Sequence, residues 1–517
     1  MNIKNFLLPM SLALLTTWAI QYFVVNKYFG MGSDNSGVIK SGQTFVAPQN
    51  QIEAQPLNRE VDFIDSELAN APVAQETLVE SDHANYIFST KGACLEQLIF
   101  KRVMSGKLEE LQTIHAPQEL DRENRCFLVA LNQRTPYTYT LVSQKQLESA
   151  TQLVYKAETN QAVIEKTFTV HKSKFQIDLT VKITPKADNV RARIFFGAPY
   201  VPGVKDDVIS AVHNSEKGKI EKELRSKLDL NKGWFVPTFF GSENRYFVHA
   251  MVSDQQGFAQ RAYYSLIGQS GLISILESAA ITQPTEWTLS FYFGPKEDEY
   301  MNLVDPRLEQ TLDHSGMLAP LSRLLLVILK YLYSFVHNYG WAIILMTLLI
   351  NLVLLPLNIK SAQSMKKYTE FQKKMKYIEA RYKDDPDTLA RERAEMLGKH
   401  GMPGLGGCLV KLLQLPIFFA LQRVLSSSIE LYKAPFLWIH DLSAKDPLYI
   451  LPILIVISMI MVTATSNDPK QRFMMIGVGL IFGAFAANFS AGLCLYILVG
   501  IVLSGIQTFV QQKMNWA

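Results

Sequence analysis

The 517-residue sequence is short of cysteine: Cys94, Cys126, Cys408 and Cys494 are all it has. No two follow a CxxC or CxxH spacing, so neither a zinc site nor a thioredoxin-like motif is encoded. Spacing does not fix connectivity, which leaves open whether Cys94 and Cys126 form a disulfide. Charge of one sign is also missing. The 51 Lys and Arg residues are nearly balanced by 47 Asp and Glu, for a formal charge of +4, too little for a general DNA-binding chain. No P-loop, HExxH or GxSxG pattern occurs, which removes the usual signatures of ATPases, zinc proteases and serine hydrolases. His83, His115, His171, His213, His249 and His314 are scattered and form no acid–base constellation. An enzyme is not expected, nor is a cofactor or a metal. An internal repeat of the transporter kind is lacking as well.

Long apolar runs are plentiful, in keeping with a hydrophobic content of 48%. Residues 6–25 are almost uninterrupted, with Lys4 before and Lys27 after. The run exceeds a signal peptide's apolar centre, and Trp18, Gln21, Tyr22 and Phe23 stand where a small-residue cleavage site belongs. An uncleaved anchor over 1–26 is expected. Further runs lie at 340–357, 409–428, 448–464 and 473–510, the last long enough for two helices with a turn near Asn488. Six spans result. The segment after the second carries Lys360, Lys366, Lys367, Lys373, Lys374, Lys376, Arg381 and Lys383, whereas residues 430–447 hold only Lys433 and Lys445 against Glu430, Asp441 and Asp446. Because basic loops stay cytoplasmic, both termini are placed in the cytoplasm and residues 27–320 outside.

Within the outer part, 27–82 is rich in polar residues and poor in aromatics, the composition of a flexible linker. From 83 to 318 the pattern changes to apolar–polar alternation, at 85–90, 137–141, 163–170, 175–183 and 287–293, with turn residues between. An all-β sandwich is expected there. Residues 319–338 place Leu321, Leu324, Leu325, Ile328, Leu332, Phe335 and Val336 on one helical side with Arg323 and Lys330 interleaved, the pattern of an interfacial amphipathic helix. The remaining boundaries expected are a second span at 339–358, a cytoplasmic helical hairpin at 359–407 broken at Asp384-Asp385-Pro386, a third span at 408–428, an outer loop at 429–447, the fourth to sixth spans at 448–510, and a short tail at 511–517.

Four motifs carry a resemblance: LGGC at 405–408, QLPIFFAL at 414–421, APFLWIHDLSAKDP at 434–447 and FSAGLCLY at 489–496. Through them the chain resembles the YidC-type membrane protein insertases of the Gram-negative form. The loop motif at 434–447 is the most specific. The resemblance implies a bacterial inner-membrane protein with a five-helix insertase core and a periplasmic sandwich of the sugar-mutarotase-like type. It implies a non-enzymatic function, in which a hydrophobic segment of a nascent membrane protein enters a hydrophilic groove open to cytoplasm and lipid, alone or with the Sec translocon. A secondary transporter or a tethered periplasmic carbohydrate-binding protein is the alternative.

The chain departs from that pattern at one point. Where the resemblance implies an arginine on the second span it has Asn351, near Thr347, and on the third span it has Arg423 and Lys411. A charge inside a membrane is expensive and tends to face a cavity or a partner, about 2.5 to 3.5 kcal/mol being its cost on insertion scales. Arg423 is therefore expected to be the groove's cation, lined by Asn351, Thr347, Gln414 and Gln422, with Lys411 near the cytoplasmic end. Arg423 also lies just before Ser426, Ser427 and Ser428, so snorkelling to the outer headgroups is the competing role. Gly479 and Gly483 read as a close helix contact, and Met459, Met461, Met474 and Met475 as adaptable apolar surface. The chain ends with only Lys513 as a basic residue, so a ribosome contact would fall on the Lys-rich hairpin.

Overall fold

The computed structural model describes residues 57–59, 62–63, 74–104, 107–115, 125–132, 134–135, 138–200, 208–215, 218–267, 271–312, 318–382, 385–400, 405–463 and 469–513, with backbone alone at 62–63, 102–104, 107–109, 115, 134–135, 319, 362, 365–369, 397–400, 405–413, 427, 463, 469–472, 474–475 and 512–513. The anchor expected at 1–26 lies outside them. Two compact units emerge, one within residues 40–313 and one within 314–517.

The first unit is all β. Its largest sheet has nine strands, in the spatial order Ile220–Leu224, Ser210–Asn214, Phe240–Glu243, Phe247–Asp254, Thr285–Pro295, Gln176–Pro185, Ala162–His171, Ala150–Glu158 and Thr140–Gln146. Strict alternation explains these strands: along Ala162–His171 every second residue is buried and its neighbours half-buried. A seven-stranded sheet includes Leu128–Leu131, Ala192–Gly197, Arg261–Ile267 and Gly271–Glu277, and a four-stranded sheet runs Glu76–Glu80, Ala84–Ser89, Cys94–Met104, Lys107–His115. Aromatic rings join the layers. Phe168 of the large sheet meets Phe88 of the small one at 4.8 Å, and Phe291 meets Phe196 of the seven-stranded sheet at 5.3 Å. The large sheet thus packs against both others, the sandwich anticipated from alternation.

Ionisable groups inside this core are held by backbone carbonyls or by a paired side chain. Lys166 shares the inward row with Ile164 and Phe168 and is fully buried. Its Nζ donates to the carbonyls of Gly92 at 2.7 Å, Ala93 at 3.0 Å and Phe127 at 2.8 Å. Arg125 pairs with Glu96 at 3.0 Å, and Arg261 with Glu277 at 2.6 Å. Cys94 and Cys126 are both buried free thiols. Leu95 and Cys126 exchange backbone hydrogen bonds, so Cys94 is one residue out of register with its would-be partner.

Two expectations need correction. Residues within the supposed linker are part of the sandwich: Asp62–Phe63 pairs in parallel with Arg134–Thr135, and the Asn58 carbonyl accepts from Arg193 at 2.7 Å and from the Tyr263 hydroxyl at 2.6 Å. Glu76–Glu80 is a full edge strand. Side-chain composition does not register this ordering, because backbone groups supply much of it. The alternation at 137–141 is also displaced, its strand beginning only at Thr140.

The second unit is helical. After a short α1 (Asp298–Asn302) at the end of the sandwich come α2 (Ala319–Val336), α3 (Tyr339–Arg381), α4 (Pro386–His400), α5 (Leu405–Ser427), α6 (Ile450–Thr463), α7 (Pro469–Ala486) and α8 (Ala491–Lys513). Among the described residues, α3 over Tyr339–Ser361 and α8 over Ala491–Gln511 are long and apolar enough to cross a membrane, and shorter apolar helices occupy Ile450–Val462 and Ile476–Ala486. The second span and the hairpin's first arm, separated at 358 by sequence, form one helix. Pro356 lies inside it without ending it. Gly483 explains the contact between α6 and α7: a Cβ there would stand 2.1 Å from Val456 Cγ2, while one at Gly479 would meet Met459 at 3.6 Å.

Candidate functional site

One end of the helical unit is sealed by the loop between α5 and α6. Asp446 builds this loop: its Oδ1 accepts from Trp438 Nε1 at 3.2 Å and from the Leu448 amide at 3.1 Å, and its Oδ2 accepts from the Leu451 amide at 2.7 Å. Asp441 orders the next turn through the Ser443 amide and hydroxyl, whereas His440 is exposed. The loop then covers the start of α8, where the amides of Ala491 and Gly492 donate to the carbonyls of Ala444 and Leu442. It also covers the start of α3. Asn338 caps that helix through the Gly340 and Trp341 amides and donates to the Pro435 carbonyl. Gly340 has no room for a side chain, since a Cβ would lie 2.0 Å from the Phe436 ring.

Helix α2 lies against the same end. Its Ser322, Leu325 and Leu329 are buried, while Leu324, Val327, Tyr331 and Phe335 form an exposed stripe at helical spacing. Ser322 donates to the Ala420 carbonyl at 3.4 Å, Tyr333 stacks on Tyr339 at 4.0 Å, and Lys330 pairs with the buried Glu430 at 2.7 Å.

Packing is confined to that end. On α3 the buried residues run from Tyr339 to Thr347, and none follows until Ser361. On α8 burial runs from Ala491 to Ile497, then lapses until Gln511; on α5 it holds at Ala420, Leu421, Val424 and Leu425 but not at 414–419. On α6, too, burial stops at Ile455. The helices are therefore close-packed beneath the loop and uncovered toward the hairpin, where Leu352, Val353, Phe419, Ile506 and Phe509 are all exposed.

The expected site residues fall on both sides of this boundary. Thr347 is fully buried at the boundary, its hydroxyl donating to the Ile343 carbonyl at 2.7 Å. Asn351, one turn further, is half-buried and donates to the Thr347 carbonyl at 2.8 Å. Gln414 is exposed on α5. At about 1.5 Å per residue from the loop ends of their helices, Asn351 and Gln414 sit at similar depths of about 18 and 20 Å. Arg423 does not share that level. It lies only about 6 Å along α5 from the loop end, half-buried like Gln422 and flanked by the buried Leu421 and Val424. The side chain of Lys411 lies outside the described residues, as do those of Met474 and Met475.

The Ser426 and Ser490 hydroxyls approach to 3.5 Å, a polar contact that the FSAGLCLY motif contains in Ser490 but whose partner on α5 no local pattern names. Among the described residues no three His, Cys, Asp or Glu side chains converge as metal ligands.

Residues 331–516 match the family described as 60Kd inner membrane protein, and residues 79–328 match the YidC periplasmic domain family. A membrane protein insertase YidC of Geobacter metallireducens is 30% identical over 487 residues, covering 89% of each chain. One from Helicobacter pylori strain 26695 is 32% identical over 445 residues, covering 84% of this chain and 77% of that one. A crystal structure of an active YidC insertase with its first transmembrane domain resolved aligns over 84% of this chain and 92% of that one, with 17% identity and a TM-score of 0.37.

Proposed function

The chain belongs to the YidC family of membrane protein insertases, and from that premise we propose how its helices carry out insertion. Its activity is membrane protein insertion, its substrates are nascent membrane proteins and its place is the inner membrane. The family is a non-catalytic insertion factor, so binding and release do the work. A transporter or a tethered carbohydrate-binding protein is not favoured, because the family matches run through both units.

In our reading the uncovered half of the bundle, between α3, α5 and α8, is the groove that receives the client. The carrying observation is the abrupt end of packing at Thr347, Ala420 and Ile497. A polar tail entering hydrocarbon must shed its hydration, which costs several kcal/mol per unpaired group, on the order of 2 to 7. A wet notch shortens the dry path. Asn351 and Gln414 are its polar lining, Thr347 its floor, and Lys411 its mouth. Gln422 and Arg423 lie half-buried beyond that floor toward the loop, where Arg423 supplies a cation to an acidic client residue that has passed the notch. This reading takes α3, α5, α6, α7 and α8 as five of six spans, with the first at 6–25, both termini in the cytoplasm and the sandwich in the periplasm. The sandwich, 83–318 with the strands that precede it, α2 as interfacial helix, and the hairpin 359–407 are its other parts. The Sec translocon is a partner, and the Lys-rich hairpin, outside the seam between α3 and α4, is the surface for a ribosome.

The test is insertion into vesicles of a small client with an acidic tail and of its neutral-tail version. Arg423→Ala lowers insertion of the acidic client severalfold and spares the neutral one, and a photo-reactive residue at 351 or 414 forms adducts with both. Full activity of Arg423→Ala on the acidic tail removes the role given to that cation.

A further inference from the structure

Beyond its apolar stretch α3 continues to Arg381, and α4 returns alongside it. The Arg393–Glu379 pair at 2.6 Å sets their register. Between the two helices lies a hollow of about 400 Å³ lined by Lys373, Lys374, Tyr377, Ile378 and Met396. The seam around it is unfinished: Phe371, Met375 and Ile378 on α3, with Leu389 and Met396 on α4, are all only half-buried. Two helices alone provide no further layer to cover such a seam. Lys373 and Lys374 are exposed, with no ion pair among the described residues. Tyr377 is 64% exposed.

Position narrows the occupant. Lys373 is about 50 Å along α3 from Tyr339 at about 1.5 Å per residue, roughly 20 Å more than a hydrocarbon core of about 30 Å spans. Lipid headgroups are out of reach, so whatever fills the hollow comes through water. Phosphate would satisfy the lysines and leave Ile378 and Met396 uncovered. A bulky apolar side chain flanked by carboxylates satisfies both, filling the floor while pairing at the rim.

We propose that the hollow between α3 and α4 docks the acidic flank of a client polypeptide, seating one or two bulky apolar side chains on Ile378 and Met396 with Glu or Asp beside them against Lys373 and Lys374. This rests on the insertion activity of the family and not on the residues assigned to the groove. A full hydrophobic segment is too large for the hollow and passes on to the bundle.

The experiment places a benzoyl-phenylalanine at position 377 of the full chain in membrane vesicles and presents ribosome-bound clients. One has a Glu-Leu-Phe-Glu flank, one the same flank with Gln for Glu, and one with Ser for Leu and Phe. The acidic apolar flank gives an adduct, and either change lowers it at least fivefold. Lys373→Glu with Lys374→Glu abolishes that adduct and restores one with a Lys-Leu-Phe-Lys flank, which shows that the altered hairpin is folded. Equal adducts for all flanks, no rescue by the basic flank, or adducts to ribosomal RNA in place of the client each overturn the proposal. Arg423→Ala leaves the adduct unchanged, so failure of the groove reading, seen as unimpaired insertion by that variant, is told apart from failure here.

Discussion

Replacing Lys166 by Met should change how the stability of the sandwich depends on pH. Burial lowers the ammonium from its usual range to about 7, with the nearby Cys94 opposing. Between pH 7 and 9 the unfolded chain keeps this proton while the folded chain loses it, so folding becomes more favourable as pH rises. The stabilisation is complete only above the unfolded value near 10.5 and is lost as pH falls toward 7. At about 1.4 kcal/mol per pH unit once the folded form is neutral, the gain from pH 7 to 9 is about 2 kcal/mol. Lys166→Met lacks this gain and removes the donor that the carbonyls of Gly92, Ala93 and Phe127 share, two of which the neutral amine's two N–H groups satisfy at a time, each worth about 1 to 3 kcal/mol when buried unpaired. The variant is therefore less stable at both pH values, and the gap widens by about 2 kcal/mol at pH 9. Other shifted groups do not mimic this. His249, held at about 3 by burial, acts below its ordinary range; the Cys126 thiol, pushed up to about 12 by burial, acts alike in both proteins, and the Cys94 thiol, also pushed up to about 12, is the one that loses a neighbouring positive charge when Lys166 is replaced. Pulse proteolysis of the sandwich across urea at pH 7, 8 and 9 reads the effect as a shift of roughly 1 M in the wild-type midpoint. Parallel pH slopes for the two proteins would refute the reasoning.

Three further outcomes follow from the packing. Gly483→Leu drives a side chain into Val456 and lowers detergent thermal stability by about 1 to 3 kcal/mol, the range for overpacking; Val456→Ala in the same chain recovers most of it, and no recovery would place the strain elsewhere. Glu430→Lys leaves Lys330 facing a like charge, and since Lys330 is nearly half exposed the cost is about 1 kcal/mol; adding Lys330→Glu restores the wild-type melting point if the pair itself is responsible. Cys94 and Cys126 resist alkylation at pH 8 in the folded chain and both react in urea without reductant, because burial keeps them as thiols; a link between their peptides that mass spectrometry finds without reductant and loses with it is the contrary result.

What the sequence makes legible depends on how far apart the partners of an interaction are. Alternation announced the strands around Val163 and Ile177 because each side chain's direction follows from its neighbour's. Lys166 breaks that alternation. Its three acceptors come from segments about 40 to 75 residues away, brought together by turns in which Gly92, Ala93 and Phe127 all adopt positive φ, and no local pattern encodes such convergence. The supposed linker hid its order for a related reason: Asn58 contributes a carbonyl, which every residue has, to Arg193 and Tyr263.

The helical site divides in the same way. That Asn351 and Thr347 share a face follows from their spacing of four, and Asn351 indeed donates to the Thr347 carbonyl. Depth is different, since it depends on where the antiparallel α3 and α5 begin and end under the loop. Counting from those ends sets Gln414 at the depth of Asn351 and leaves Arg423 nearer the sealed end. If Arg423 serves clients from there, charge is met last. An acidic residue gains from it only after its segment has filled the uncovered half, so the cation would govern completion of insertion and not capture. Arg423→Ala should then leave adducts at position 414 at wild-type level while protease-protected product falls; a parallel fall in both would assign Arg423 to capture.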